Sequence, residues 1–339
     1  MDIVTSSCTF LQQCADQINP QIRKRFEFGF KAISLQGVES LNSAARCVVP
    51  NVHTAESKMY RLLKTERFLT LFPSLITHLE LVKKDDRINI DFSTFDEKQV
   101  LMFAKQTEDG RALPLYFETI IYPIDEGSQN IFIIEAIKHF RALIGNCTAS
   151  LVFDRGFAIP SLIEFLAQES AVFYIRIKAG KQVEDPDTHL VDACRTLSEG
   201  AHTVSVYGLK LRVIVTPAPE NGSEPWYIVT NDFNSTTEKI QDIYYHRFEI
   251  EEFFKDTKHP FGLACIHFKK LRSFHIVLWF VILGTWLCWS LQKTCAALVC
   301  PVKKYPHCRE LGVISFWLER ITCALITPSL ATISLTKSL

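Results

Sequence analysis

The chain has 339 residues, 47% of them hydrophobic and 22% charged, a globular composition long enough for roughly two or three compact units and unlike a disordered or fibrous protein. Thirty-seven Lys and Arg balance 37 Asp and Glu, so net charge by itself favours no particular partner. Neutrality conceals an uneven distribution: residues 1–80 hold nine basic against seven acidic residues, residues 87–254 hold 15 against 25, and residues 255–339 hold 11 against three. A basic end suits a polyanion and an acidic centre suits divalent cations, although soluble proteins with neither partner also carry such asymmetry.

The 11 cysteines include no CxxC pair and follow no leader, so the expectation is a reduced, cytoplasmic protein. Cys300, His307 and Cys308 offer three zinc-type ligands, but their spacing matches no common zinc site.

Taken in chain order, the first clear pattern is SLNSAARCV followed by a break at Pro50 and Asn51, then a helix capped by Thr54 and running AESKMYRLLK. This pattern predicts two short helices with a tight turn, as in a helix-turn-helix. Lys58, Arg61 and Lys64 recur every three residues on the second helix, as a DNA-facing surface requires; a helical hairpin with solvated cations fits these residues equally well.

After the charged break KKDDR come three strand patterns, INIDFSTF, QVLMFAKQT and ALPLYFETIIY. A helix over 129–143, the strand ASLVFD ending at Asp154, and a helix through SLIEFLAQ follow. Three strands and then alternating helix and strand predict a mixed sheet covered by helices. Residues 171–231 read as further strands (AVFYIRI, HTVSVYG, LKLRVIV, WYIVT), separated by polar runs such as EDPDT.

The segment YYHRFEIEEFFKDTK predicts a helix on which Tyr244, Arg247, Glu251 and Lys258 fall within a ~60° arc at ~100° per residue. One carboxylate and two cations would share a face at the edge of the apolar stripe of Ile243, Ile250 and Phe254, while Glu249 and Glu252 point elsewhere. The stripe fits a metal ligand flanked by phosphate-gripping groups, or a solvated amphipathic face. Downstream, IVLWFVILGTWLCWSL (276–291) is shorter than the ~20 residues needed to span a bilayer and predicts a buried core helix.

Asp91 and Asp154 lie in or at the end of apolar strands, where an ionised carboxylate is costly unless paired or bound to metal. With Glu251 they would repel one another until Mg²⁺ or Mn²⁺ bound, as in a two-metal phosphoryl-transfer site. Capping or a salt bridge, for example to Arg155, is the alternative for both aspartates.

The spacing Tyr-x2-Arg-x3-Glu-x6-Lys at Tyr244, Arg247, Glu251 and Lys258, with IDFST at Asp91, GRALPLYF at 110–117 and LVFDRGF at Asp154, resembles the DDE transposases of the YREK-bearing group, the insertion-sequence four family. The resemblance covers about residues 30–290, with the four blocks in family order. It implies an RNase H-like α/β fold: a mixed sheet flanked by helices, interrupted by a β-strand-rich insertion domain and preceded by a helical DNA-binding domain. The implied divisions are 1–84 (helical DNA binding), 85–170 and 239–299 (catalytic core) and 171–238 (β-rich insertion); residues 300–339, which have no counterpart in the resemblance, are expected to form a C-terminal helical segment open to a dimerisation role.

The resemblance further implies Asp91, Asp154 and Glu251 as catalytic metal ligands for two Mg²⁺ or Mn²⁺ ions, with Tyr244, Arg247 and Lys258 holding phosphates. Trp226 is similar to a tryptophan that stacks on a flipped base, and Arg176 to an arginine approaching DNA in the same pocket; as residues alone, both fit ordinary strand positions. FKDTKHPFGL (254–263) is similar to members that cut through a hairpin intermediate. The expected activity is cleavage of terminal inverted repeats and joining of 3′-hydroxyl ends to target DNA by a homodimer in the cytoplasm, away from any membrane. The alternatives are an RNase H-fold nuclease or resolvase without strand transfer, a catalytically inactive repeat-binding protein, and an integral membrane protein built around 276–291.

Overall fold

A computed structural model describes residues 9–294, apart from 11, 15, 36–39, 108–109, 122–126, 146, 218–223, 259–260 and 264–265. The proposed C-terminal segment 300–339, including Cys300, His307 and Cys308, lies outside the described residues. The chain divides into two compact units, residues 82–250 and residues 1–81 with 251–339.

Residues 82–250 are built on one mixed sheet. Strands β1 (Arg87–Phe95), β2 (Lys98–Lys105) and β3 (Leu113–Ile121) form an antiparallel meander. Helix α5 (Ser128–Ile144) then leads into β4 (Ser150–Phe153), which pairs in parallel with β1. Helix α6 (Pro160–Gln168) leads into β5 (Phe173–Ile177), which pairs in parallel with β4. Parallel neighbours need a crossover connection, and the two helices supply it. Ile88, Ile90, Leu151, Val152 and Phe153 are all buried, as the central strands of a covered sheet require.

The sheet continues beyond β5, which the sequence reading had made the first strand of the insertion. Strands β6 (Gln182–Glu184), β7 (Val191–Ala193), β8 (Gly200–Val206), β9 (Leu209–Val215) and β10 (Tyr227–Thr230) complete the order β3-β2-β1-β4-β5-β10-β9-β8-β6-β7. Sequence patterning does not show the β6–β7 hairpin, because its strands are only three residues each; the polar run EDPDT falls at its turn. Tyr207 and Gly208, both at positive φ, form the two-residue turn between β8 and β9, where right-handed strand twist favours that geometry.

The predicted helix over 244–258 is not one helix. Helix α7 (Thr237–Tyr245), capped by Thr236, ends in a 3₁₀ turn (His246–Phe248) before α8 (Glu249–Lys258) begins. The tighter turn breaks the 100° progression, so Tyr244, Arg247 and Glu251 do not share one regular stripe.

In the other unit, α1 (Pro20–Gly29) is capped by Asn19 and runs into a π-helical turn, Phe30–Ser34. Helices α2 (Leu41–Val48) and α3 (Val52–Leu63) are the predicted pair, but Asn51 rather than Thr54 caps α3: its side chain accepts from the Thr54 amide, which places Thr54 within the first turn. Helix α4 (Phe68–His78) follows, and Phe26, Phe68, Phe72 and Phe280 pack as an aromatic cluster.

Phe280 comes from α9 (Leu271–Thr294), which is 24 residues long rather than the 16-residue run expected. Its length and composition suffice to cross a membrane, yet 83% of its apolar 18-residue window is buried inside the protein. An apolar helix enclosed on all sides is a core helix, each large side chain contributing ~1.5–3 kcal/mol on burial. Gly284 lets the α9 backbone approach the π-helical turn closely: a Cβ there would stand 2.6 Å from the Ser34 carbonyl oxygen. Ser34 Oγ in turn donates to the Phe280 carbonyl at 2.6 Å.

Candidate active site

The site begins with strand register. Ile90 on β1 lies opposite Phe153 on β4, so the next residue on each parallel strand is an aspartate, Asp91 and Asp154. Side chains alternate across a strand, so Asn89 and Asp91 share a face of β1 with Val152 of β4. The same face carries Tyr174, Ile214 and Ile228, and α7 covers it with Ile240, Ile243 and Tyr244.

Buried polar groups then fix the turn after α7. Asn89 Nδ2 donates to the carbonyls of His246 at 3.0 Å and Arg247 at 3.3 Å. Gln106 Nε2 donates to Asn89 Oδ1 at 2.7 Å and to the Ile243 carbonyl at 2.9 Å. Glu249 is buried and accepts from the Thr107 amide at 2.9 Å, while its other oxygen lies 2.8 Å from His246 Nδ1. Glu249 thus anchors the start of α8, consistent with the sequence reading that set it apart from Glu251.

The pinned turn aims Arg247 at both aspartates. Its Nη1 is 3.3 Å from Asp91 Oδ2, and its Nε is 4.0 Å from Asp154 Oδ1. The guanidinium also lies over the Phe248 ring, 4.3 Å from its centroid. The Arg247 side chain is 4% exposed, against 20% for Asp91 and 42% for Asp154, so a buried cation meets two carboxylates that open toward solvent. Asp91 Oδ1 accepts from the Phe92 amide at 2.8 Å. The salt-bridge reading of the aspartates therefore has a physical basis, with Arg247 rather than Arg155 as the partner.

Tyr244 completes the floor. Burial pushes its phenol well above the ordinary range, against the opposing pull of Arg247 and Arg176, with Asp154 adding to the rise. It is neutral near pH 7, and its buried hydroxyl, near enough to the Arg247 guanidinium to feel its charge, makes no well-formed hydrogen bond among the described residues. Trp226 packs edge-on against Tyr244 at 5.3 Å and tilts over Phe248 at 5.9 Å. It also lines a cavity of about 480 Å³ with Thr216, Glu238, Gln241, Asp242 and Tyr245.

Asp91, Asp154, Arg247, Tyr244, Arg176 and Trp226 thus gather on one face of residues 82–250. Glu251, Lys258, Lys58, Arg61 and Lys64 belong to the other compact unit; Glu251 and Lys258 are half-buried, and the three helix α3 cations are exposed. Sequence reasoning missed Asn89 and Gln106. Asn89 was visible as a polar residue two positions before Asp91 in an otherwise apolar strand.

Residues 132–287 match the family model of the transposase DDE domain. The matched segment contains Asp154, Arg176, Trp226, Tyr244, Arg247, Glu251 and Lys258, and begins after Asp91. It supports a DDE transposase, an enzyme acting on DNA; with it, the ten-stranded sheet and its helices are consistent with an RNase H-like domain. No curated protein matches the chain.

DDE transposases generally use divalent metals. The carboxylates of Asp91 and Asp154 are the hard oxygen donors that Mg²⁺ and Mn²⁺ select, and they sit on neighbouring strands just past the point where the β1–β4 pairing ends. Among the described residues, no three His, Cys, Asp or Glu side chains are grouped to hold a metal ion. The arrangement therefore supplies two suitable donors around the Arg247 cation.

Proposed function

We propose that the protein is a metal-dependent DNA transposase of the YREK-bearing group, with Asp91, Asp154 and Glu251 as its catalytic carboxylates. The observation that carries this reading is the placement of Asp91, midway along β1, and Asp154, just past the end of the parallel strand β4, within reach of the same Arg247 guanidinium. These carboxylates would hold Mg²⁺ or Mn²⁺, two ions to a site, which would supply Lewis acidity at a phosphodiester.

The protein residues have separable tasks. Arg247 offsets the repulsion between the two aspartates before DNA arrives, then offers its charge to a phosphate. Tyr244 remains a neutral donor because its phenol is held high. Lys258 adds a cation to the same strand end. Trp226 and Arg176 receive a base flipped from the element's terminus, an aromatic face being suited to an unstacked base.

Binding to terminal inverted repeats is assigned to the N-terminal helices, through Lys58, Arg61 and Lys64, together with the β-rich segment 171–238 as the insertion. Pairing two ends requires at least a homodimer on DNA. Cleavage proceeds through a hairpin at the element's end, and the 3′-hydroxyl ends then join target DNA. The place of action is the cytoplasm, on the nucleoid.

A plasmid-integration assay with labelled repeat ends tests the reading. Covalent capture of label in the plasmid is the expected result. Cleavage without capture would assign the protein to the nucleases instead, and repeat binding without cleavage would make it an inactive occupant.

A further inference from the structure

Two segments of the chain that lie far apart in sequence meet at one corner of the unit formed by residues 1–81 and 251–339. Helix α9 packs against α3. Arg272, on the first turn of α9, is ion-paired with Glu66, just beyond the end of α3. Phe274 and Ser273 donate their amides to the Lys270 carbonyl at 3.2 and 3.0 Å, so the Lys270 backbone is fixed where α9 begins.

Around this corner Lys64 and Lys270 both act on one exposed aromatic ring. Tyr60 is 59% exposed, so its phenol is open to a partner. Lys64 Nζ lies 4.1 Å from the centre of that ring. Lys64 above all, through a hydrogen bond and its charge, and Lys270 more weakly, hold the Tyr60 phenol below its usual range. Arg61, Lys269 and Lys270 are exposed as well. Among the described residues none of Arg61, Lys64, Lys269 and Lys270 has an ion-pair partner, whereas the nearby carboxylate Glu66 is engaged by Arg272.

We propose that this corner is a single DNA-backbone contact surface, in which Lys269 and Lys270 join Tyr60, Arg61 and Lys64. The inference rests on the reading of the protein as a DNA-acting enzyme and adds to it a strip of chain that no spacing argument linked to α3. Charge complementarity selects the occupant: unpaired cations gain most from phosphates, because each contact releases a condensed counterion. The exposed phenol, set among them, can donate a hydrogen bond to a phosphate oxygen. Such contacts fix the position of a duplex without reading its sequence.

The test measures binding of the full-length protein to a fluorescently labelled duplex of arbitrary sequence across a KCl series. Lys269→Gln with Lys270→Gln should lower the magnitude of the log–log salt slope by about 1.8, two contacts at about 0.9 each. Tyr60→Phe should weaken binding about threefold to tenfold with the slope unchanged, the loss of one hydrogen bond. Lys83→Gln with Lys84→Gln, an exposed pair in the other unit, serves as the control and should leave the slope as in the wild type. All three are surface changes, and unaltered thermal unfolding confirms that they fold. If the wild type binds and the Lys269/Lys270 variant keeps its slope, or the control pair lowers it equally, the contact surface is overturned while the DNA-acting reading stands. Absence of binding by the wild type overturns both.

Discussion

Arg247 and Asp91 are 156 residues apart in the chain and 3.3 Å apart in space. The contact exists because Asn89, two residues before Asp91 on the same strand face, holds the carbonyls of His246 and Arg247. A strand that presents one carboxylate thereby also places the cation that faces it.

Arg247→Met should expose the balance of charge at this point. Removing a buried partner leaves Asp91 and Asp154 facing each other, and discounting for their partial exposure the cost is about 1–3 kcal/mol. Mg²⁺ should then raise the unfolding temperature of the variant more than that of the wild type, since the two carboxylates have lost their internal cation. Differential scanning calorimetry with and without Mg²⁺ reads both effects. An equal response in the two proteins would show that the carboxylates do not take up the ion.

Asn89→Ala tests the pin itself. It deletes two donors to backbone carbonyls and leaves Gln106 without one acceptor, at a cost of about 1–3 kcal/mol in urea unfolding. Cleavage should fall as well, because the turn carrying Arg247 loses its hold on β1. A variant with wild-type stability and wild-type cleavage would show that the turn is held by other contacts.

Much of this arrangement was legible in the sequence, and the exceptions have local causes. The strands around Asp91 and Asp154 declared themselves because continuous apolar runs bounded by polar turns fit only covered strands. Register made Asp91 and Asp154 neighbours, and register depends on hydrogen bonds between segments that sequence does not pair. The break at His246–Phe248 was hidden because HRF has no glycine or proline; the turn is imposed by tertiary bonds to Asn89 and by Glu249 binding the Thr107 amide. The exposed run of Lys58, Arg61 and Lys64 was legible from its spacing, whereas the packing of α9 on α3 that brings the start of α9 to this helix was not.

Asp232 supplies an acid-dependent element in the same sheet. Burial raises its carboxyl, but hydrogen bonds from Ser235, Tyr174 and the Asn234 amide outweigh this and bring it down to about 2. A carboxyl lowered on folding stabilises the native state fully above its unfolded value of about 3.8 and loses that contribution as pH falls through about 2. Asp232→Asn should therefore flatten the fall in stability between about pH 4 and pH 2, followed by urea midpoints. An unchanged acid limb would contradict the role.

Gly284→Ala probes the α9 core. The added methyl meets the Ser34 carbonyl oxygen at 2.6 Å, and relieving it must shift the π-helical turn or α9. The expected loss is about 1–3 kcal/mol, despite the higher helix propensity of alanine. A gain in unfolding temperature would show that the two backbones separate freely.

The central claim, that Asp91, Asp154 and Glu251 act together on DNA, is tested most directly by metal-dependent cleavage of a duplex carrying the element's end. Asp91→Ala, Asp154→Ala and Glu251→Ala should each abolish cleavage in Mg²⁺ while leaving binding to the end intact. Full strand cleavage by Glu251→Ala in Mg²⁺ would contradict it.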